Sequence, residues 1–230
     1  MNPYIERLKS LRERAANAAC QAGRKQEAIT LLAVGKGHEA AELRLLAEAG
    51  QSDFGESYLQ EALAKQQNLA DLALNWHFIG HLQKNKAAMA LGRFRLIHSL
   101  DSIPLAEIID KKALKAGLRQ PVLLQVNLAM ESSKHGVPPE QLEELADKAA
   151  TLPNLELRGL MCLPPPSSDP EDSRPYFAKL RQLRDKLETC LGQSLPELSM
   201  GMSHDFAQAV AEGATIIRIG TALLGERKAK

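Results

Sequence analysis

The sequence predicts a single (β/α)8 TIM barrel with an extra N-terminal helix, one domain over residues 1–230. Three observations carry this. Eight short apolar runs alternate with amphipathic helical stretches along the chain. Strands separated by helices of about 10–15 residues require crossover connections and a parallel sheet. A chain of 230 residues is the right size for eight such units closed on themselves, with an open doubly wound sheet of fewer strands as the alternative.

The first helix spans residues 3–22. Ile5, Leu8, Leu11, Ala15, Ala18 and Ala19 recur at three- and four-residue spacing, with charges between them and Gly23 as a stop. The strands follow as TLLAV (30–34), SDF (52–54), WHFI (76–79), RLIHS (95–99), PVLLQVN (121–127), LELRGLM (155–161), ELSM (197–200) and TIIRI (215–219). The second and fourth have the weakest patterns. Helical segments such as EAAELRLLAEAG, ESYLQEALAKQQ, IPLAEIIDKKALKAG and PEQLEELADKAA separate them. The Pro/Ser-rich stretch 163–175 follows the sixth strand and precedes a helix, so it is a βα loop rather than a linker.

Composition excludes several function classes. Lys+Arg number 29 against Asp+Glu 28, which argues against bulk nucleic-acid or anionic-membrane binding. Aromatic residues make up 4%, too few for a stacking platform. Cys20, Cys162 and Cys190 are too scattered for a redox pair or zinc knuckle. The charged N-terminus lacks an apolar signal core, and no apolar run approaches the ~20 residues of a membrane span. A cytoplasmic protein without nucleic-acid or membrane partners is expected.

In a barrel, chemistry collects just past the C-terminal strand ends. Those positions hold Gly35-Lys36, Gly55-Glu56-Ser57, Gly80-His81, Asp101, Asn127, Met161-Cys162, Met200-Gly201-Met202-Ser203 and Gly220-Thr221. The last two loops, MGMSHD and RIGTA, each place a glycine before a hydroxyl residue at an expected helix start. Each alone is more simply an ordinary N-cap, but together, at the two expected loops, they are equally a candidate phosphate cup. By alternation Leu32, Val34 and Lys36 share a face. If that face is interior, the Lys36 amine sits at the mouth as a nucleophile towards carbonyls, rather than as a solvated lysine leaving its strand. A phosphate-bearing aldehyde would satisfy both ends. Ile216, Arg218 and Gly220 also share a face. Arg218, buried in an apolar strand, either pairs with a carboxylate or donates to a ligand acceptor such as a pyridine nitrogen. His77 reads as a core residue or an acid–base group. Glu56 reads as a base or as a carboxylate starting a helix. His38, His81, His98 and His204 show no metal spacing.

These motifs resemble those of the pyridoxal 5′-phosphate (PLP) homeostasis proteins, also called the YggS/PROSC or PLP-binding-protein family. The matching segments are LLAVGKG (31–37), FGESYLQEA (54–62), WHFIGHLQKNK (76–86), LLQVNLAMESSKHGV (123–137), LRGLMCLPPP (157–166) and LSMGMSHDFAQAVAEGATIIRIGTALLGER (198–227). The resemblance covers nearly the whole chain. It implies a barrel like the N-terminal domain of alanine racemase and PLP bound covalently as a Schiff base on Lys36. It implies phosphate contacts from Ser203, Gly220 and Thr221 beside Met200 and Gly201, and an Arg218 contact to the pyridine nitrogen. Ser57 and His77 complete the candidate cofactor-binding set. The family usually has Ser-Lys-Thr where this chain has Gly35-Lys36-Gly37, Asn at Ser57 and Pro at His81. The two glycines predict a looser lysine loop.

A guanidinium on the pyridine nitrogen weakens the ring as an electron sink. The racemases resemble this arrangement and add a tyrosine base from a C-terminal domain, for which the nine residues after Thr221 leave no room. The expected role is therefore PLP homeostasis by storage and delivery, with effects on amino-acid and keto-acid balance. Amino acids and PLP-dependent apoenzymes are the partners, and a monomer is the expected state. A weak racemase using Lys36 with Tyr58 or His77 is the alternative. A phosphate-ester isomerase with Glu56 as base is a third reading.

Overall fold

The computed structural model describes residues 2–131 and 134–226. The strands are β1 (Thr30–Val34), β2 (Asp53–Glu56), β3 (Asn75–Phe78), β4 (Leu96–Leu100), β5 (Gln120–Val126), β6 (Leu155–Cys162), β7 (Glu197–Met202) and β8 (Ile216–Ile219). They pair in parallel and in sequence order, and β8 returns to β1 to close the barrel. The closing register pairs Ala33 with Ile219. The helices are α1 (Tyr4–Gln21), α2 (Ala40–Glu48), α3 (Leu59–Asn68), α4 (Ala87–Ala90), α5 (Ile103–Ala116), α6 (Leu142–Thr151), α7 (Arg174–Leu191), α8 (Phe206–Ala211) and α9 (Thr221–Leu224). Among the described residues no helix is long and apolar enough to cross a membrane.

Alternation divides the strand side chains between two cores. Leu32, Leu96, Leu123, Met161 and Ile216 form a small cluster inside the barrel. Ala33, Phe54, Trp76, Phe78, Ile97, Val122, Leu124, Leu198, Met200, Ile217 and Ile219 join the larger core between sheet and helices. The second strand runs two residues further than its sequence pattern suggests. Gly55 and Glu56 pair with His77 and Phe78, so the ladder decides the end, not the apolar run.

α1 fills a gap in the helical ring. α8 and α9 have only six and four residues, too short to cover β7 and β8. α1 buries Tyr4, Leu8, Leu11, Ala15, Ala18 and Ala19, and fully burying a leucine side chain contributes about 2 kcal/mol. Polar contacts fix its position. The Arg14 guanidinium lies 4.9 Å from the Phe206 ring centroid. Arg7 donates to the Leu223 carbonyl at 3.3 Å, and Arg24 donates to the Val210 carbonyl at 2.9 Å. Each contact leads to an element that carries a loop of the mouth.

Candidate functional site

β7, β8, β1 and β2 are consecutive around the ring, so the loops after them are neighbours at one side of the mouth. The Lys36 loop follows β1. Leu32 lies inside the barrel while Ala33 packs outside, which puts the parity of Lys36 on the interior side. Its Nζ lies 4.8 Å from the Tyr58 ring centroid. Tyr58 follows Ser57 in the loop after β2, and it is 56% exposed.

Glycine does not leave the lysine loop slack. The Gly35 N–H extends the ladder to the Gly55 carbonyl at 3.0 Å. Lys65 on α3 donates to the Gly35 carbonyl at 2.7 Å, and the Gly37 N–H donates to Glu61 Oε1 at 2.8 Å. A Cβ at position 35 would stand 2.5 Å from Glu56 Oε1 and 2.9 Å from Leu43 Cδ2. A side chain there would displace the tie beneath the lysine.

That tie uses Glu56. The residue follows Gly55, whose own position faces the interior side chains of Leu32 and Ile79. Glu56 therefore points outward, between the sheet, α2 and α3. It is fully buried, and Lys65 Nζ donates to it at 2.7 Å and to Glu61 at 2.6 Å. Burial outweighs the attraction of Lys65 and pushes the Glu56 carboxyl up to about 7. The phosphate-ester isomerase reading loses its base, because this carboxyl does not face the mouth.

The sign of the pH effect follows. An acid whose folded pKa exceeds its unfolded value of 4.5 holds its proton more tightly when folded. Its contribution to stability is present at low pH and is lost as pH rises from about 4.5 to about 7. The full effect is on the order of 3 kcal/mol. Glu56→Gln, which cannot titrate, is expected to flatten the fall in thermal midpoint across this window. Equal slopes for both proteins in melts at stepped pH would refute the assignment.

The loops after β7 and β8 meet directly. The Ala222 N–H donates to Ser203 Oγ at 3.3 Å. Ser203 does not cap α8, since Asp205 occupies that position and accepts from the Met202 N–H at 2.7 Å through Oδ1. Gly220 precedes Thr221, the first residue of α9. A Cβ on Gly220 would stand 3.7 Å from Val34 Cβ, so this loop abuts the end of β1. Gly201 has φ +90°, and a Cβ there would come within 2.5 Å of Ala209 Cβ, so only glycine fits this bend. Met200 is fully buried in the outer core. Its side chain faces the helices, leaving only its backbone towards the mouth.

Arg218 lies inside the barrel, one residue before the end of β8, and is 3% exposed. Its guanidinium donates to Ser199 Oγ at 2.7 Å and to the Cys162 carbonyl at 2.8 Å. No carboxylate among the described residues forms an ion pair with it. Burial holds its pKa below the usual arginine value. The neighbouring Cys162 thiol is fully buried and pushed up to about 12, mainly by that burial, which makes it a poor nucleophile.

Behind Arg218 runs a polar column. Ser199 Oγ stands 2.8 Å from His98 Nδ1, and His98 Nε2 stands 3.0 Å from His77 Nδ1. His77 Nε2 faces Asp53 Oδ1 at 3.5 Å, which is long for a hydrogen bond. The two ends set the direction of the protons. Arginine only donates and an ionised aspartate only accepts. Ser199 thus accepts from Arg218 and donates to His98 Nδ1, His98 Nε2–H donates to His77, and His77 Nε2–H faces Asp53. Burial, then its neighbours His77 and Arg218, hold the His98 pKa well below the usual histidine value. Desolvation pushes the Asp53 carboxyl up, but its contacts to His77, Ser52 and Asn75 outweigh this and hold it below the usual range. His77 therefore reaches the mouth only through His98, Ser199 and Arg218. In the sequence His98 stood out only as a histidine without metal spacing, and Ser199 carried no signal. Their parity with Leu96 and Glu197 was visible, but their meeting across the barrel was not.

Comparison with known proteins agrees with the fold. Residues 7–228 match the family described as alanine racemase, N-terminal domain. A pyridoxal phosphate homeostasis protein from Aquifex aeolicus is 48% identical over 223 residues, covering 97% of this chain and 98% of that protein. One from Pseudomonas aeruginosa is 46% identical over 228 residues, covering 99% and 97%. The structure of PipY from Synechococcus elongatus with PLP bound superposes with a TM-score of 0.86 at 40% identity, covering 96% of this chain and 100% of PipY. With its closed eight-stranded barrel and identity over almost its whole length, the chain belongs to the pyridoxal phosphate homeostasis protein family.

Proposed function

We propose that this protein holds PLP at the barrel mouth, covalently through Lys36, and serves PLP homeostasis by reversible storage and delivery. Closure of β8 onto β1 carries this reading, because it sets the amine loop directly beside the paired hydroxyl loops. The residues fit the cofactor. Arg218 is a buried cation held by two neutral acceptors, an arrangement that favours a further acceptor such as a ring nitrogen. Ser203, Gly220 and Thr221 border the mouth beside β1, where hydroxyl and backbone donors suit a phosphate. Ser57 and Tyr58 flank Lys36 from the loop after β2. Met200 and Gly201 shape the β7 turn, and His77 acts through the column that orients Arg218. PLP bound to PipY supports PLP as the ligand.

When bound, PLP would supply an aldehyde carbonyl, and Lys36 Nζ would be the amine that holds it. Arg218 would hold the ring nitrogen, and the column behind it orients the guanidinium through Ser199. Tyr58 lies beside Lys36 rather than opposite it, and the His77 nitrogens are directed to His98 and Asp53. This favours holding over racemisation, which needs acid and base groups on both faces. Free amines such as amino acids could exchange with Lys36, and apoenzymes would be the recipients.

The test is a visible spectrum of the protein titrated with PLP, then borohydride reduction and peptide mapping. One equivalent of yellow adduct reduced onto Lys36 is expected. No adduct, or one scattered over surface lysines, would reject the reading.

A further inference from the structure

On the other half of the mouth, three successive βα loops bring together His81 after β3, Asp101 after β4 and His135 after β5. Their donor atoms all lie within 4.8 Å of one another. His81 Nδ1 is 3.5 Å from Asp101 Oδ2. The imidazoles of His81 and His135 are stacked, with centroids 3.8 Å apart and planes 9° apart. The side chain of Asp101 is only 14% exposed, so it forms the floor of the group, and His81 above it is 38% exposed.

We propose that His81, Asp101 and His135 form a binding site for a divalent transition-metal ion. The His81–Asp101 spacing exceeds the usual charge-assisted hydrogen bond of about 2.8 Å. It is close to the roughly 3.3 Å between neighbouring ligands in a tetrahedral zinc site. The stacked rings direct their nitrogens side by side rather than towards one point. Binding therefore requires rotation of His135, an exposed side chain free to make it. The backbone beneath is fixed, because Gln125 inside the barrel donates to the His135 carbonyl at 2.8 Å. Asn127 holds the same loop through the Glu131 and Lys134 carbonyls.

Two imidazoles and one carboxylate suit Zn2+, Co2+ or Ni2+, whereas Mg2+ and Ca2+ require oxygen ligands. Three protein ligands leave at least one position for water or a small anion. The ion would pin three loops together across from the Lys36 loop. The histidines showed no metal spacing in sequence because the ligands come from three separate loops and meet only when the barrel closes.

The experiment is calorimetric titration of the chelator-treated full chain with Zn2+, and absorbance titration with Co2+. One equivalent should bind, with visible cobalt bands, and Mg2+ should not compete. His81→Ala, Asp101→Asn and His135→Ala should each weaken binding at least about tenfold without changing the circular dichroism spectrum. A Cys20→Ser/Cys190→Ser variant should bind normally, since these exposed thiols are the obvious competing ligands. Affinity unchanged by the three substitutions, binding lost with the cysteines, or no stoichiometric binding would overturn the proposal.

Discussion

Lys36→Ala is expected to abolish the borohydride-reducible PLP adduct while leaving weaker, phosphate-dependent binding. The structure contains two lysines near the end of β1, and their surroundings differ. Lys65 points outward, with its Nζ bonded to Glu56, Glu61 and the Gly35 carbonyl. Its three N–H groups are committed to these acceptors, away from the mouth. Lys36 Nζ rests over the Tyr58 ring, and no carboxylate among the described residues forms an ion pair with it. Removing Lys36 deletes the covalent link but leaves Arg218 and the β7 and β8 loops in place. Residual affinity should fall by on the order of a hundredfold, about 2.7 kcal/mol. Absorbance titration and mass spectrometry of the reduced protein check both parts. An undiminished adduct that moves to Lys65 would mean that α3 and β2 are arranged differently in solution.

Much of the site was legible in strand parity. Leu32 and Ile216 inside the barrel fix the faces of Lys36 and Arg218, and both assignments follow from alternation alone. The same parity, applied to Gly55 and Glu56, separates an interior glycine from an outward carboxylate. It also sends Met200 outward beside Leu198. What alternation cannot give is contact across the barrel. His98 on β4 meets Ser199 on β7, 101 residues later, and only closure with the observed stagger joins them. Of the two readings of Arg218, a paired carboxylate is not found among the described residues. Asp53 lies at the far end of a four-residue column, not against the guanidinium. Ser203 shows the same limit. Its place after a glycine matched an N-cap, but Asp205 takes that role and frees Ser203 to bridge to Ala222.

That bridge sets the second large effect. The Ala222 N–H uses a lone pair on Ser203 Oγ, so the hydroxyl proton is available to donate towards the mouth, alongside the exposed Thr221. Hydrogen bonds to a charged acceptor contribute about 1.5–3 kcal/mol each. Ser203→Ala with Thr221→Ala should therefore weaken PLP binding by on the order of 10²–10⁴-fold. The reducible adduct on Lys36 should return when PLP saturates the variant, because the amine is untouched. Pyridoxal, which has the same aldehyde and ring but no phosphate, supplies the decisive comparison. Its affinity should be nearly equal for the wild-type and doubly substituted proteins. If pyridoxal weakens as much as PLP, the two hydroxyls shape the mouth rather than hold the phosphate. If neither ligand weakens, the anion is held elsewhere on the rim, and the β7 and β8 loops only join the barrel to the helices packed against α1.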